Sequence, residues 1–372
     1  MNQADEKRIN HYANSMFRFE FLNDSWIESC TSYLKLLFGD TLKDKIVVDY
    51  AFGRGNWSLA FLKAGASKVI SIDASHDNVS RFSEYCKVHG VVDISVIHGN
   101  ILEADIEYKG DLFWLYGILH HLENLDLFLT KIKSMASNQQ AKLYVYFYNK
   151  NSLREWVIEF SRSLHVYRDE SEFLEDNLLF IRTAKGRASD DLTAPIINWF
   201  TANEFQSALE KNGIYVERQD SDFYEFQNGR RNEEFCPHQF LCKLDCSPGY
   251  TVTERKFLFP AELEVLTTLG EDIKRHITST QIRKNISIGV FNTHFCFLKN
   301  NSIEESLLEI FLFLMRVIIQ SVEMQKAKFG FLSEAYYNLM LASLSGSERS
   351  TEVFGVERTL FSDYLVKNQI RI

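Results

Sequence analysis

Five short apolar runs separated by helical patterns constrain this chain more than any other feature of its sequence. The runs are rich in Val, Ile, Tyr and Phe, as strands buried on both faces are, and they cover residues 45–50, 68–73, 93–99, 111–117 and 142–148. Helical patterns cover residues 56–65, 75–90 and 125–137 between them. This alternation predicts a parallel sheet with helices on both faces, which binds ligands at the carboxyl ends of its strands.

The length and the charge of the chain limit the number of domains and the classes of partner that can be expected. It has 372 residues, 45% of them hydrophobic, which is enough for two units, expected at 1–249 and 250–372. A net charge of -9 gives no general attraction to a polyanion, and residues 250–372 carry equal numbers of basic and acidic side chains. No nucleic-acid partner is therefore favoured.

The apolar segments predict a soluble, cytoplasmic protein with no membrane span. The first residues are polar and lack the apolar core of a secretory signal. The most apolar later stretch, 307–319, is too short for a bilayer and contains Glu309 and Arg316. Six cysteines in such a chain are expected to stay reduced.

Carboxylates and glycines fall together at the predicted carboxyl edge of the sheet. Asp49 lies near the end of the first run and precedes Gly53 and Gly55, which allow the backbone to turn tightly and approach a ligand. Asp73 ends the second run, where a group that only accepts hydrogen bonds suits ribose hydroxyls. Asp49 could instead cap its own loop, and Asp73 could be an ordinary acid before a helix. Taken together, the residues favour a nucleoside site.

The position of Asp49 favours one nucleoside ligand over another. A dinucleotide would place its pyrophosphate over the glycine turn, where the adjacent carboxylate would repel it. S-adenosyl-L-methionine (SAM) has no phosphate and carries an ammonium and a sulfonium, which the carboxylate attracts. The sequence therefore favours the methyl donor.

These segments resemble the class I SAM-dependent methyltransferase superfamily, in its small-molecule type, over about residues 40–245. The stretch VVDYAFGRGNWSLAFLKAGASKVISIDAS (47–75) is similar to its first motif and second-strand acid, and DLFWLYGILHHL (111–122) to its fourth strand and following turn. Residues 191–219 resemble its last helix and sixth strand, and 237–244 its reversed seventh strand. The resemblance implies a Rossmann-like α/β fold with a seven-stranded sheet.

The resemblance also implies which residues hold the donor. Asp49, Gly53 and Gly55 would surround its methionine end, and Asp73 would bind the ribose hydroxyls. Asn100 stands where an Asp often contacts the adenine amino group, and Ala51 replaces the usual first glycine of the turn. The predicted cofactor contacts are Asp49, Ala51, Gly53, Gly55, Asp73, Ala74, Ser75, Asn100, Ile101 and Gly117.

Methyl transfer would proceed by in-line displacement, with His120 or His121 as the candidate base. One histidine of such a pair could pack against the sheet while the other faces the site. Residues 150–200 form a long insertion where the family recognises its acceptor, and we expect an acceptor lid there. The predicted substrate contacts are Tyr148, Arg154, Trp156, His165, Tyr167 and Arg168.

Two further features lie outside the donor site. Cys236, His238, Cys242 and Cys246 have no common zinc spacing and would be strung along one strand, so no metal site is predicted. Residues 250–372 predict a mostly helical α+β accessory domain, which could contact the catalytic domain, a second copy of the chain or another protein.

The function expected is methyl transfer from SAM to a small organic acceptor such as a sugar, a lipid-like ring or a natural-product intermediate. The turn after the fourth strand lacks the Asn/Asp-Pro-Pro-aromatic loop of similar enzymes that methylate amino groups of bases. The alternatives are an RNA or protein methyltransferase, and a SAM-binding scaffold without turnover.

Overall fold

Seven strands form one mixed sheet in the order β3-β2-β1-β4-β5-β7-β6. The computed structural model describes residues 22–102, 108–150, 197–220, 223–228, 238–244 and 250–252, all of which belong to one compact unit. The strands are β1 (Ile46–Tyr50), β2 (Lys68–Asp73), β3 (Ile94–His98), β4 (Leu112–Tyr116), β5 (Lys142–Phe147), β6 (Tyr215–Gln219) and β7 (His238–Lys243). The first five are parallel, and β7 runs antiparallel between β5 and β6. This confirms the predicted fold class, including the reversed seventh strand.

Six α-helices accompany the sheet in the described part of the chain. They are α1 (Asp24–Phe38), α2 (Asn56–Lys63), α3 (His76–Val88), α4 (Leu125–Met135), α5 (Ala202–Lys211) and α6 (Phe223–Asn228). Short 3₁₀ turns cover Gly39–Leu42 and Leu119–His121. A capping box begins α5: the Thr201 hydroxyl accepts from the Glu204 amide at 3.1 Å, and the Glu204 carboxylate accepts from the Thr201 amide at 2.9 Å. It fixes the residue at which α5 begins.

The sheet carries one apolar core on each face because the side chains of a strand alternate. Helices α1, α2, α3 and α6 cover the face that includes Val47, Val69 and Trp114. Helices α4 and α5 cover the face that includes Val48, Ile70 and Leu115. The second face is apolar along the length of its strands, whereas the first turns polar and aromatic near the carboxyl edge. We call that first face the α1 face.

The amino edge of the sheet is tied together by one side chain. The Asp111 carboxylate accepts from the Ile46 amide at 2.9 Å, from the Asn138 side chain at 3.1 Å and from the Ser137 hydroxyl. These bonds join the starts of β1 and β4 to the turn before β5. Asp111 therefore has a structural role at the amino edge, opposite the carboxyl edge where such sheets bind ligands.

Two backbone contacts join the ends of the long insertion. Asn149 and Phe200 form an isolated parallel bridge, and the Lys150 amide donates to the Phe200 carbonyl at 3.0 Å. We call this pairing the stem. It lies directly after β5, and residues 151–196 between its two sides are outside the described residues.

The start of the expected second domain packs with the sheet unit. Val252 is buried in the core under α5, and its amide donates to the Gln206 side chain at 3.2 Å. The remainder of the predicted accessory domain, with the apolar stretch 307–319, lies outside the described residues. No helix in the described ranges is long and apolar enough to cross a membrane.

Candidate active site

The turn after β1 is built from left-handed backbone conformations. Ala51, Gly53 and Gly55 have φ values of 52°, 57° and 87°. The Ala51 amide donates to the Ile72 carbonyl at 2.7 Å, which carries the β1–β2 ladder into the turn. Ala51 therefore occupies a conformation that suits glycine, and its methyl group makes this backbone strained.

The two glycines of this turn serve different purposes. A Cβ on Gly55 would lie 2.2 Å from the Phe82 ring, so the missing side chain lets α2 and α3 pack closely. A Cβ on Gly53 would meet only the Ala51 carbonyl oxygen, at 4.0 Å. Gly53 thus leaves open space above the turn, as a ligand that approaches the backbone requires.

Asp73 clasps the glycine turn to the end of β2. Its Oδ2 accepts from the Gly53 amide at 2.9 Å, and its Oδ1 accepts from the Ser75 amide at 2.8 Å. Each carboxylate oxygen has a second lone pair, so the group can accept further hydrogen bonds from hydroxyls. The clasp confirms that Asp73 and Gly53 lie together.

Asp49 points from β1 towards α2. Its Oδ2 accepts from the Ser58 hydroxyl at 2.6 Å, and the Ser58 oxygen accepts from the Ser71 hydroxyl on β2 at 2.8 Å. All three side chains are buried on the α1 face. The chain of hydroxyls fixes the carboxylate beside the glycine turn.

Burial raises the pKa of both carboxyl groups. The pKa of Asp49 rises to about 7, because burial outweighs the hydrogen bond from Ser58 and the charge of Asp73 adds to it. The pKa of Asp73 rises to about 6, because burial outweighs its bonds to the Ser75 and Gly53 amides. Within the described ranges neither forms an ion pair, and a cation bound in this corner would favour the ionised form of both groups.

The other predicted cofactor residues surround the same edge. The Ser75 hydroxyl caps α3 by accepting from the Asn78 amide at 3.3 Å, and the Ala74 carbonyl lies 3.1 Å from His98 Nε2. The Asn100 Oδ1 accepts from the Leu102 amide at 2.9 Å, which orients the side chain expected near adenine. Ile101 packs into the core under α4. Because the Ile101 side chain is buried, it could contact the donor only where this core borders the donor site.

Gly117 follows β4 with a φ of 81°, and a Cβ there would meet nothing within 4 Å. Its strand pairs with β1, where Asp49 lies opposite Trp114. Open space therefore exists at the ends of two adjacent strands, above Gly53 and above Gly117.

The two candidate histidines lie in different environments. The His120 ring is fully buried and stacks on Tyr148, with 3.8 Å between ring centroids. The His121 ring lies 4.1 Å from the His120 ring and is partly exposed. His120 is therefore the packed member of the pair, and the Nε2 atom of the partly exposed His121 is also buried, so the role of either histidine as a base stays a prediction.

Several residues of the site were missed by sequence reasoning. Ser58 and Ser71 hold Asp49, and the rings of Trp57, Tyr116 and Tyr146 contact one another at the carboxyl edge of β4 and β5. The polar Ser71 inside an otherwise apolar run was the available signal. The partner of Asp49 depends on which side of α2 faces the sheet, which the motif alone does not give.

Of the six predicted substrate contacts, one lies within the described residues. This residue, Tyr148, is buried directly after β5. Arg154, Trp156, His165, Tyr167 and Arg168 lie outside the described residues, as does most of the expected lid. His238 and Cys242 lie on β7, whereas Cys236 and Cys246 are also outside.

The strand order, the glycine turn after β1 and the acid that ends β2 match the arrangement that the sequence resemblance to class I SAM-dependent methyltransferases implies. Residues 47–138 match a family model described as a methyltransferase domain. Residues 47–138 thus form a methyltransferase domain. A search of curated proteins found no match.

Solved structures with a similar chain course include three methyltransferases. Mitomycin 7-O-methyltransferase is 16% identical over 58% of this chain and 53% of its own, with a TM-score of 0.39. Magnesium protoporphyrin IX methyltransferase from Synechocystis PCC 6803 is 13% identical over 64% and 97%, with a TM-score of 0.43. A putative O-methyltransferase from Nostoc punctiforme is 17% identical over 58% and 56%, with a TM-score of 0.40. The chain thus spans about half the length of the first and third, and such low similarity carries no information about its substrate.

Proposed function

We propose that this protein transfers a methyl group from SAM to a small organic acceptor by in-line displacement. The clasp of Asp73 on Gly53 and Ser75 carries the donor part of this proposal, because it fixes a buried carboxylate and an open backbone turn at one edge. Asp73 would accept from the ribose hydroxyls. The donor supplies an electrophilic methyl group on a sulfonium, which is a good leaving group.

The charges of the residues at this site also support SAM as the donor. SAM carries one net positive charge near neutral pH, and Asp49 and Asp73 are buried without an ion-pair partner among the residues described. A cation beside Asp49 would favour the ionised form of that group. This chain's part in the chemistry is to align the acceptor, exclude water and, through His121, accept a proton where one must leave.

Donor binding is tested by replacing one side chain. Asp73→Ala should lower SAM affinity by about 1–3 kcal/mol, because ribose hydroxyls would lose a charged acceptor. Isothermal titration calorimetry measures this, with Asp93→Asn as a control on an exposed carboxyl at the amino edge. If Asp73→Ala bound SAM like the wild type, the ribose assignment would be wrong, and NAD binding in place of SAM would overturn the proposal.

The acceptor class is supported by the charge of the chain and of the site. The net charge is -9, and the described strand ends at the acceptor side carry aromatic rather than basic residues. This favours a small molecule over RNA. Binding of SAM without turnover on any acceptor would favour the scaffold alternative.

For the expected acceptor lid and the expected accessory domain, we propose the roles that the sequence indicates. Residues 150–200 would close over the acceptor, and residues 250–372 would contact the catalytic domain, a second copy or a partner protein. A truncation should retain Val252, because this residue is buried in the described core. Light scattering on the full-length and truncated chains would show whether the residues after Val252 are needed for self-association.

A further inference from the structure

Asn198, near the end of the long insertion, binds the turn after β4 at two points. Its backbone amide donates to the His120 carbonyl at 2.7 Å, and its side-chain Nδ2 donates to the Leu122 carbonyl at 2.8 Å. These carbonyls belong to the residues on either side of His121 in the chain. We call this pair of hydrogen bonds the clamp.

The turn after β4 is too short to satisfy its own backbone. It is a single 3₁₀ turn, Leu119–His121. The His121 amide donates to the Ile118 carbonyl at 2.8 Å, and the Leu122 amide donates to the Leu119 carbonyl at 3.2 Å. Carbonyls at the end of a helix have no partner inside it, and hydrogen-bond geometry in a 3₁₀ turn is poor. The clamp supplies donors to the two carbonyls that the turn leaves over.

Ring contacts join the same two segments. Trp199, which follows Asn198, stacks on Tyr148 with ring centroids 6.0 Å apart, and Tyr148 stacks on His120 at 3.8 Å. The His120 ring in turn lies 4.1 Å from the His121 ring. The end of the insertion therefore meets the turn through its backbone, through an amide side chain and through a row of rings.

The residues that follow Asn198 are fixed to the sheet unit. Phe200 pairs with Asn149 in the stem. The Lys150 ammonium forms an ion pair with the Glu204 carboxylate at 2.9 Å, and Glu204 belongs to the capping box that begins α5. The clamp therefore joins the turn after β4 to the stem and to the start of α5.

The clamped turn lies on the acceptor side of the predicted donor site. It follows Gly117, where a Cβ would meet nothing within 4 Å. It also carries the partly exposed ring of His121, a candidate base. A residue that fixes this turn thus fixes the histidine relative to the open space at the end of β4.

We propose that Asn198 is a positioning residue for methyl transfer, because the clamp holds His121 beside the acceptor and couples it to the acceptor lid. This rests on the proposed function, in which residues 150–200 form that lid. An amide suits the role, since it donates to a carbonyl at any ordinary pH and exchanges no proton with the base. Closure of the lid over an acceptor would in this way also set the position of the base.

The His121 ring provides the readout, by NMR on the full-length protein with isotope-labelled histidine. SAM and its demethylated product differ only in the methyl group and the sulfonium charge, so a ring held beside the sulfonium has a different chemical shift with each ligand. We call this difference the donor response, and His121→Gln identifies the signal.

Two variants remove the side-chain half of the clamp. Asn198→Leu keeps the size of the side chain, and Asn198→Ala shortens it. In both, the donor response should fall about 3-fold or more, because an unclamped ring samples several positions. SAM affinity should stay unchanged, since the donor is bound at β1 and β2. An unchanged donor response in both variants would overturn the proposal, and so would a wild type with no response, because His121 would then not lie beside the sulfonium.

Asn212→Ala is the matched control. The Asn212 side chain also donates at two points, to the Asp126 carboxylate at 2.8 Å and to the Ala208 carbonyl at 2.9 Å, but it joins α5 to α4. Its donor response should equal that of the wild type. A loss equal to that of the Asn198 variants would assign the effect to general stability and overturn the proposal.

Hydrogen exchange shows whether the change is local. The His121 and Leu122 amides should exchange about 5-fold faster in both Asn198 variants, while the amides of β1 keep their wild-type rates. Faster exchange throughout β1 would mean that Asn198 only supports the stability of the whole unit, which contradicts a positioning role.

Calorimetry with SAM separates this failure from failure of the proposed function. If SAM does not bind the wild type, the methyl transfer itself is wrong. If SAM binds and the Asn198 variants keep the donor response, only the positioning role fails.

Discussion

At the scale of single residues, the turn after β1 places alanine, at position 51, in a backbone conformation that favours glycine. Ala51 has a φ of 52°, in a region where an L-residue with a Cβ is strained by about 1–3 kcal/mol. The sequence could show only that alanine replaces a glycine here, and the cost depends on the φ that the structure reveals. The rest of the fold must hold this turn in place.

Ala51→Gly should therefore stabilise the protein by up to about 1 kcal/mol. The relief of strain exceeds the extra freedom that glycine gives the unfolded chain, which costs about 0.4–1 kcal/mol. Urea denaturation measures the change. Ala64→Gly is the control, because Ala64 has a φ of -81° and should only lose stability. A destabilised Ala51→Gly would mean that the methyl group is not under strain.

The buried Asp49 carboxyl makes stability depend on pH. Folded Asp49 keeps its proton up to about pH 7, whereas an unfolded Asp loses it near pH 4. The folded state binds more protons in this window, so this group's contribution to stability falls as pH rises through it and is level above it. The cost is on the order of 1 kcal/mol for each unit of pKa shift.

Asp49→Asn should remove that slope. Its stability relative to wild type should rise between pH 4 and pH 7, as thermal unfolding across this range would show for both proteins in the absence of donor. Ser58→Ala is a useful companion, because it removes the hydrogen bond that favours the ionised form and should steepen the fall. A constant difference between Asp49→Asn and wild type across the range would contradict the buried, protonated carboxyl.

At the scale of elements, the strands were predictable and their lateral contacts were not. The five apolar runs located β1 to β5 to within one residue at each end, because strands buried on both faces have a strong sequence signal. The pairing of Tyr116 with Tyr146 needs β4 and β5 to be neighbours in register, and the Asp49–Ser58 bond needs α2 to turn one side to the sheet. Both depend on tertiary packing.

The close approach of α2 and α3 gives the prediction at this scale. Gly55→Ala should cost about 2–4 kcal/mol, because its Cβ would lie 2.2 Å from the Phe82 ring at a positive φ. Gly53→Ala has a positive φ but open space, and should cost only about 1 kcal/mol. Adding Phe82→Leu to Gly55→Ala should recover part of the loss. Equal costs for the two single changes, measured in urea, would argue against the clash.

At the scale of the whole molecule, the two faces of the sheet differ in polarity at the carboxyl edge. The face under α4 and α5 is apolar to its ends, while the α1 face carries Asp49, Asp73 and the rings of Tyr116 and Tyr146 at its carboxyl edge. A buried carboxylate without a cation lowers stability, and a cationic ligand offsets this cost. Stability and donor binding are therefore expected to be linked.

Donor stabilisation should consequently increase with pH. At a free concentration of 100 times its Kd, SAM should add about 2.7 kcal/mol of stability, and this gain at a fixed concentration should be larger at pH 8 than at pH 5.5. The demethylated product lacks the sulfonium charge and should show a smaller increase. Thermal shifts with both ligands at both pH values measure this, and a SAM shift that shrinks at pH 8 would contradict the electrostatic account.

The stem after β5 affects how the segment between its two sides could be replaced by another sequence. Because Asn149 pairs with Phe200, and Lys150 donates to the same residue, the two ends of the long insertion are held side by side next to the sheet. A different segment could be joined there without altering the register of any strand. With residues 150–200 in their proposed role as the acceptor lid, exchange of segment 151–196 would change which acceptor is methylated while the residues proposed to bind the donor stay the same.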